Sequence, residues 1–413
     1  MKVAIINYSH GEGSTGKNAD KMFADCVSRG YETKLFYGVL PKSDCSNNPN
    51  YIYFGNHGIN IIDHIISNFT GLSGSLAIIP THKLLNELNT FKPDIIWLYN
   101  IHGGVVNEYK LLEYAKKKAK WTIYSMADEY AFLGKCCYSF ECEKYKDKKG
   151  CSHCKHLHDS PRSLIFDNSS YHFRKKEKAY HNFQNIIFES APYVVDKAKE
   201  STLLKGKLFH KTDTYIDIEG IYYPRDTKRI RQELNIPLKK RVMLLCANVN
   251  SIYKGVKYFL EAAQKCINEE IVFINVGYGG DISKCPENYI ALPYIYDQNY
   301  LAELFSLADA YVCTSIVDAQ PNACINALGC GTPIIGFNTS GVPYITGKQN
   351  GTYVRPFDID ELVKVIKNTP RKTEDTIKSC HEYAKMRYGF KNNKTSNILD
   401  IVEELIKGEF NIE

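Results

Sequence analysis

Short apolar runs recur along the chain. Each is followed by a polar or glycine-bearing loop and then by a stretch with apolar residues at helical spacing. Lys2–Asn7 (KVAIIN), Leu35–Tyr37, the IIWLY centre of Phe91–Asn100, Trp121–Ser125 and Ile186–Phe188 are such runs. Apolar runs this short, bounded by turn residues, read as strands buried on both faces, the pattern of a parallel sheet. Lys17–Arg29, Thr81–Leu88, Glu108–Lys118, Tyr171–Asn185 and Val194–Leu203 read as the helices between them, and Asn56–Leu76 as a partly apolar helical stretch. The alternation stops at Lys205–Asp226, a segment of mixed polarity that reads as a linker. It then restarts with Val242–Ala247, Ile271–Val276, Ile290–Tyr294, Ala310–Thr314 and Thr332–Phe337 as strands. Val256–Cys266, Gln298–Leu307 and Ile359–Lys367 are its helices, and the tail Thr373–Ile406 is helical. Strand and helix alternating in two series predict an α/β protein of two doubly wound domains.

The densest signal is Ala308–Val342. Ala310–Thr314 is a buried strand, Asp318–Asn322 a loop, and Asn322–Leu328 a short helix stopped by Gly329 and Gly331. Pro321 suits a helix start, where its missing N–H costs nothing. This arrangement puts a helix N-terminus, with its unpaired amides and positive dipole end, at the carboxyl end of a sheet, where phosphate binds. The same pattern also occurs in Rossmann-like units that carry no ligand.

The stretch resembles the signature of glycosyltransferase family 4, the retaining nucleotide-sugar enzymes of the GT-B fold. The register falls on Asp318, Asn326, Cys330–Pro333 and Ser340–Gly341, with Asp318 and Asn326 where the family usually has glutamates. The resemblance implies two Rossmann-like domains facing an interdomain cleft. It implies an acceptor-side domain at 1–205, a nucleotide-sugar domain at 206–380, and a tail helix at 381–413 that crosses back to the first domain. Lys254–Gly255 is similar to the family's Lys-Gly, which makes Lys254 the cation for the leaving diphosphate; alone, it reads equally as a solvated lysine. Asp318 then touches the donor sugar, Asn326 the ribose hydroxyls, and Gln320, Pro321, Asn322, Ala323, Ser340 and Gly341 line the donor. Gly13, Thr15 and Gly16 in the first glycine-rich loop face the same cleft and are donor-binding positions, able to approach the donor phosphate or the acceptor. That loop lacks the G-x-G-x-x-G dinucleotide pattern, and no acid sits where a ribose would need it; read alone, it serves tight packing or phosphate contact equally.

A second resemblance covers 121–165. Asp128, Phe132, Gly134 and Cys136 match a subgroup of that family found in exopolysaccharide and capsule clusters, typified by colanic acid glycosyltransferases. The subgroup's histidine is Ala127 here. Asp128 is then a catalytic candidate, with Glu129 and His102 on the acceptor side. Read alone, the two acids could equally cap a helix, and His102 could be an ordinary loop histidine. Cys136, Cys142, Cys151 and Cys154 form C-x5-C-x8-C-x2-C inside an insertion at about 134–160. The set reads as a structural zinc staple or as free or paired thiols; four thiolates would leave no open position for catalysis.

Composition narrows the partners. The chain has 413 residues, with 44% hydrophobic content and a formal charge of +6. Residues 1–205 hold 27 basic and 21 acidic residues, whereas 206–413 hold 25 of each, so the excess lies in the first half. That half could meet an anionic lipid-linked substrate or a bilayer surface, although the runs Lys116–Lys120 and Arg174–Lys178 also read as solvated helix faces. No nucleic-acid-binding motif is present. No apolar run is long enough to span a membrane, and the first run is too short for a signal peptide. The expected location is cytoplasmic, with peripheral contact at the inner face of the membrane. Fourteen cysteines in a chain this long do not form a disulfide framework.

The resulting expectation is a retaining hexosyltransferase, without a catalytic cofactor. It would move sugar from a UDP- or GDP-linked donor to a saccharide or lipid-linked acceptor in bacterial surface polysaccharide synthesis. The alternative, prompted by Ala127 and Asn326, is a catalytically weak GT-B protein that binds or scaffolds.

Overall fold

The computed structural model describes residues 1–41, 48–74, 76–347, 349–390 and 395–408. The chain divides into two compact units. One comprises Met1–Ser190, Val194–Thr212 and the last helix; the other comprises Ala191–Tyr193 and the chain from Asp213 onward to that helix.

The first unit contains β1 (Lys2–Asn7), α1 (Gly13–Ser28), β2 (Glu32–Tyr37), β3 (Tyr51–Tyr53), α2 (His57–Thr70), α3 (Ile78–Phe91), β4 (Ile95–Tyr99) and α4 (Glu108–Lys118). It continues with β5 (Trp121–Ser125), α5 (Ser169–Tyr180), β6 (Ile186–Ser190), α6 (Pro192–Lys199), whose first two residues fall in the other unit, and β7 (Leu208–Lys211). The sheet order is β3-β2-β1-β4-β5-β6-β7, and every pair is parallel. The stretch expected to be linker thus supplies an edge strand. β7 is four half-exposed or exposed residues, LFHK, too short and mixed to show a strand pattern.

The second unit contains α7 (Lys228–Glu233), β8 (Arg241–Cys246), α8 (Val256–Lys265), β9 (Ile271–Val276), β10 (Tyr289–Leu292), α9 (Gln298–Leu307) and β11 (Ala310–Cys313). α10 (Asn322–Gly329), β12 (Ile334–Phe337), β13 (Gly351–Val354), α11 (Ile359–Asn368) and α12 (Glu374–Tyr388) complete it. Its sheet runs β10-β9-β8-β11-β12-β13, again all parallel. The expected single tail helix is two helices, α12 and then α13 (Thr395–Lys407), the latter in the first unit.

Both sheets bury continuous apolar strands. All five residues of β4 and all six of β9 are buried. Ile398, Leu399 and Val402 of α13 are fully buried in the core that holds Trp97, Ile95 and Phe23, and Arg29 bonds Asp400 at 2.7 Å beside it. In each sheet the strand order reverses beside the first strand of its unit, between β1 and β4 and between β8 and β11. Doubly wound sheets gather ligands outside the carboxyl ends of the strands at that point.

Candidate functional site

In the second unit the chain leaves β8 through a 3-10 turn, Ile252–Lys254, and Gly255. Gly255 has φ +65°, and a Cβ there would stand 2.0 Å from the Thr314 carbonyl oxygen. Glycine therefore lets this loop lie directly against the chain that leaves β11. Two hydrogen bonds join the loops: Thr314 Oγ1 donates to Lys254 O at 3.2 Å, and Ile316 N to Tyr253 O at 2.8 Å. The result is an ion pair across the switch point, Lys254 Nζ to Asp318 Oδ2 at 2.5 Å. Burial works against the Lys254 ammonium, but Asp318 outweighs it and holds its pKa above the ordinary value. The lysine therefore stays charged through the physiological range.

Asp318 is also fixed from behind. Gly341 N donates to Asp318 O at 2.9 Å, and a Cβ at 341 would lie 1.9 Å from Ala319 O. Ser340, just before it, takes the left-handed conformation with φ +48°. α10 starts immediately after this loop. Pro321 is its N-cap, and no side chain caps the first-turn amides. Asn322 is exposed and Ala323 half-buried at that end. One turn on, Asn326 carries a buried side-chain oxygen with no protein hydrogen-bond partner. Such an acceptor is costly unless something donates to it.

Gln320 does not belong with the free groups. Its Oε1 accepts from Thr214 N at 2.7 Å, and its Nε2 donates to Asp213 Oδ1 at 2.6 Å. Arg387 closes the same cluster on Asp213 at 3.0 Å. The side chain expected to line the donor instead anchors the loop to the start of its own unit.

In the first unit, α1 begins at Gly13, four residues before the expected start, and Glu12 at its N-cap makes no side-chain cap. Thr15 Oγ1 accepts from Asn100 Nδ2 at 3.3 Å, which ties the first turn of α1 to the residue after β4. Gly16 is buried, and a Cβ there would press on the His10 backbone at 3.1 Å, so this glycine serves close packing.

His102 and Asp128 follow β4 and β5. His102 Nε2 meets Asp128 Oδ2 at 2.9 Å, while Asp128 Oδ1 accepts from Tyr130 N at 2.9 Å. Burial alone would raise the Asp128 carboxyl. His102, the Tyr130 amide and the Cys137 thiol outweigh burial and hold it below the usual range. Burial, with Asp128 beside it, pushes the Cys137 thiol well up. His102, Asp128 and Cys137 place their ligand atoms mutually within 4.8 Å, the one such trio among the described residues. In the sequence Cys137 lies alongside the Cys136–Cys154 series, and nothing in its spacing places it with His102 and Asp128.

Glu129 is a correction. It is fully buried, its Oε2 accepts from Ser139 N at 2.8 Å and Ser139 Oγ at 2.5 Å, and Lys197 pairs with it at 3.1 Å. It braces the loop from inside and presents nothing to an acceptor. The cysteine set divides. Cys136 and Cys154 hold their sulfurs 3.7 Å apart, close to the ~3.8 Å that two ~2.3 Å bonds to one tetrahedral zinc require. Neither Cys142 nor Cys151 comes within 4.8 Å of both, and Cys151 Sγ accepts from Gly134 N at 3.2 Å. The Cys136 thiol, hydrogen-bonded to Cys154, pulls Cys154 down to about 6.

Residues 240–369, within the second unit, match the family model described as "Glycosyl transferases group 1". No curated protein matches the chain. Among solved structures, sucrose-phosphate synthase from Thermosynechococcus elongatus is similar with a TM-score of 0.66 and 14% identity, over 98% of this chain and 99% of that one. WaaG, described as a glycosyltransferase involved in lipopolysaccharide biosynthesis, has a TM-score of 0.64 and 15% identity, over 98% and 100%. Anabaena Alr3699/HepE in complex with UDP-glucose has 0.60 and 13%, over 99% and 100%. The fold is GT-B, with two Rossmann-like domains.

Proposed function

We propose that the protein is a retaining glycosyltransferase. It moves a sugar from a nucleoside-diphosphate donor to a saccharide, lipid-linked in the favoured case, during bacterial surface polysaccharide synthesis. The observation that carries this reading is the Lys254–Asp318 pair at the switch point of the group 1 domain, beside the uncapped start of α10. A lysine and unpaired helix amides supply positive charge for a leaving diphosphate without a divalent ion. Asp318 is near enough to that lysine to reach the donor sugar, and Asn326, with its orphaned oxygen, suits a ribose hydroxyl as donor partner. Ser340 and Gly341 shape the wall behind Asp318. HepE, of the same fold, was crystallised with UDP-glucose, which supports a UDP-linked donor here.

In the first unit we assign the acceptor to the open end of α1, at Gly13 and Thr15, and to the His102–Asp128 pair. In the neutral ring with its proton on Nε2, His102 donates to Asp128 and keeps Nδ1 as an acceptor for a sugar hydroxyl. Asp128 thereby orients the ring.

The test is turnover. Purified protein is mixed with UDP- and GDP-sugars, and release of nucleoside diphosphate is followed with and without saccharide acceptors. Acceptor-dependent release from one donor is expected. The second reading, a binding or scaffold protein, rests on Ala127 and on the neutral Asn326. It predicts stabilisation by a nucleotide in a thermal melt with no turnover of any donor.

A further inference from the structure

α2 has its polarity inverted. Its only charged residue of fixed sign, Asp63, is 1% exposed. The Asp63 carboxylate accepts from Gly74 N and Leu76 N, both at 2.9 Å, and so fastens the following loop beneath the helix. The apolar residues point outward instead. Ile61, Ile62, Ile65 and Phe69 of α2, Ile79 at the start of α3 and Ile165 are each 46–63% exposed. These elements form one surface. The 163–166 segment is bonded to the end of α2 by Leu164 N to Asn68 O at 2.7 Å and Ile165 N to Phe69 O at 3.2 Å. An amphipathic helix normally buries its isoleucines and exposes its acids. A cluster of exposed apolar side chains this dense marks an interaction face.

The rim says what the face meets. Arg162 is exposed just before the 163–166 segment. Lys83, one turn beyond Ile79 on α3, is drawn away to Tyr53 O at 2.7 Å and does not count toward the rim. Asn168, which precedes α5, donates to Thr70 O at 2.6 Å, which brings the first turns of α5 to the end of α2. There Tyr171 is exposed, and Lys175 Nζ lies 5.3 Å from its ring centre. Arg162 and Lys175 thus put two exposed cations beside Tyr171 on this rim; the one exposed acid between them, Asp167, is held by Cys154 N at 2.7 Å and Ser169 N at 2.9 Å. The rim belongs to the half of the chain that holds the whole basic excess. A second copy seated face to face on this patch would gather the Arg162 and Lys175 charges of both copies at one interface. A sheet of anionic headgroups over acyl chains complements both the charge and the isoleucines. At ~1.5 Å per residue α2 is about 21 Å long, and no helix among the described residues is long and apolar enough to cross a membrane. A bilayer contact by this helix would therefore lie in the interface plane.

We propose that α2, the start of α3 and the 163–166 segment form a docking face for an anionic lipid bilayer, with the isoleucines inserted at headgroup depth. The face gives the bilayer contact expected from the basic half a defined location, and it is independent of sugar transfer. Its test needs no donor, so either reading can fail without the other. The full chain is sedimented with vesicles of phosphatidylcholine alone and of phosphatidylcholine mixed with phosphatidylglycerol. Binding only to the anionic vesicles is expected, weakened by salt. Ile62→Glu with Ile65→Glu should lower the partition coefficient by about tenfold or more, with the melting temperature unchanged because both side chains are exposed. Arg162→Ala with Lys175→Ala should lower it by roughly fivefold per cation, at about 1 kcal/mol each. If the isoleucine variant melts early, the cation variant alone decides. Equal binding to neutral vesicles, or binding that neither variant alters, overturns the proposal. So does a dimer in light scattering that the isoleucine variant dissolves, which would make the face a contact between copies.

Discussion

Lys254→Ala is the substitution on which the donor-site assignment stands. In the free protein the ammonium pairs with Asp318 Oδ2 at 2.5 Å, and the two side chains are 42% and 14% exposed. A pair this open to water contributes about 1 kcal/mol at most to stability. The variant should therefore melt within a few degrees of wild type. Turnover should respond far more. As the bond to the sugar breaks, negative charge grows on the diphosphate, and a fixed cation is worth more there than in the ground state. At ~4 Å and an effective dielectric near 20, a unit pair is worth about 4 kcal/mol. Loss of one preorganised group of this kind costs about 3–4 kcal/mol, or roughly a hundred- to a thousandfold in rate. Because Asp318 holds the lysine pKa above its ordinary value, the loss should not vary with pH across the neutral range. Lys254→Arg should recover only part, since a planar guanidinium does not fit a position set by a point charge. Lys257→Ala is the control: that side chain is exposed and stands 4.7 Å from the Tyr258 ring centre. The assay is steady-state release of nucleoside diphosphate by all four proteins, with thermal melts beside it. A Lys254→Ala protein that melts normally and keeps its full rate would refute the assignment and leave Lys254 as a surface charge.

Two further outcomes follow from buried groups in the first unit. Glu189, next to last in β6, has its carboxyl buried, accepting from Ser125 Oγ, which in turn accepts from Trp97 Nε1 at 2.6 Å. Burial raises its pKa from 4.5 to about 7, against the pull of those donors. Below pH 4.5 the group is protonated in both states and costs nothing. As pH rises from 4.5 to 7 the unfolded chain ionises first, so stability should fall by about 3 kcal/mol and then level off. Denaturant melts from pH 4 to 8 should show this decline in wild type and lose it in Glu189→Gln; an equal decline in both would mean that another group titrates. For the cysteines, a zinc staple requires Cys142 and Cys151 to close onto the Cys136–Cys154 pair. Elemental analysis of protein purified without chelator should then give about one zinc per chain, and Cys154→Ser should remove it; wild-type protein without zinc would leave the four as thiols.

The strands were legible because parallel sheets buried on both faces write themselves as continuous apolar runs. KVAIIN, IIWLY and IVFINV needed no context. β3 and β7 were not legible: YIY and LFHK are short edge strands whose placement depends on their neighbours. The donor loop was legible for a different reason. Gly255 and Gly341 stand where any side chain would strike a carbonyl oxygen, so the backbone approach that brings Lys254 to Asp318 leaves glycines at fixed places in the chain. Gln320 and Glu129 misled because a polar residue near a strand end looks the same in sequence whether it faces a ligand or braces a loop. Only their partners, Asp213 for one and Ser139 with Lys197 for the other, distinguish the two cases.

α2 shows the same ambiguity in reverse, and it bears on how an apolar pattern should be read. HGINIIDHIISNFT has helical periodicity, and periodicity alone orients its isoleucines toward a core. Asp63 decides otherwise. Two backbone amides, of Gly74 and Leu76, converge on its carboxylate where the loop doubles back under the helix. Leaving those amides and the carboxylate without partners would cost more than exposing isoleucines, because buried charges and amides must be paired while an exposed methyl loses only its transfer energy. The helix therefore turns its acid inward. The isoleucines it must then display are the side chains that the proposed bilayer contact would cover. The lone acid in an otherwise neutral, isoleucine-rich helix is thus the residue that makes the outer face sticky, and Asp63→Leu would be expected to roll the helix and weaken vesicle binding without touching any residue of the face itself.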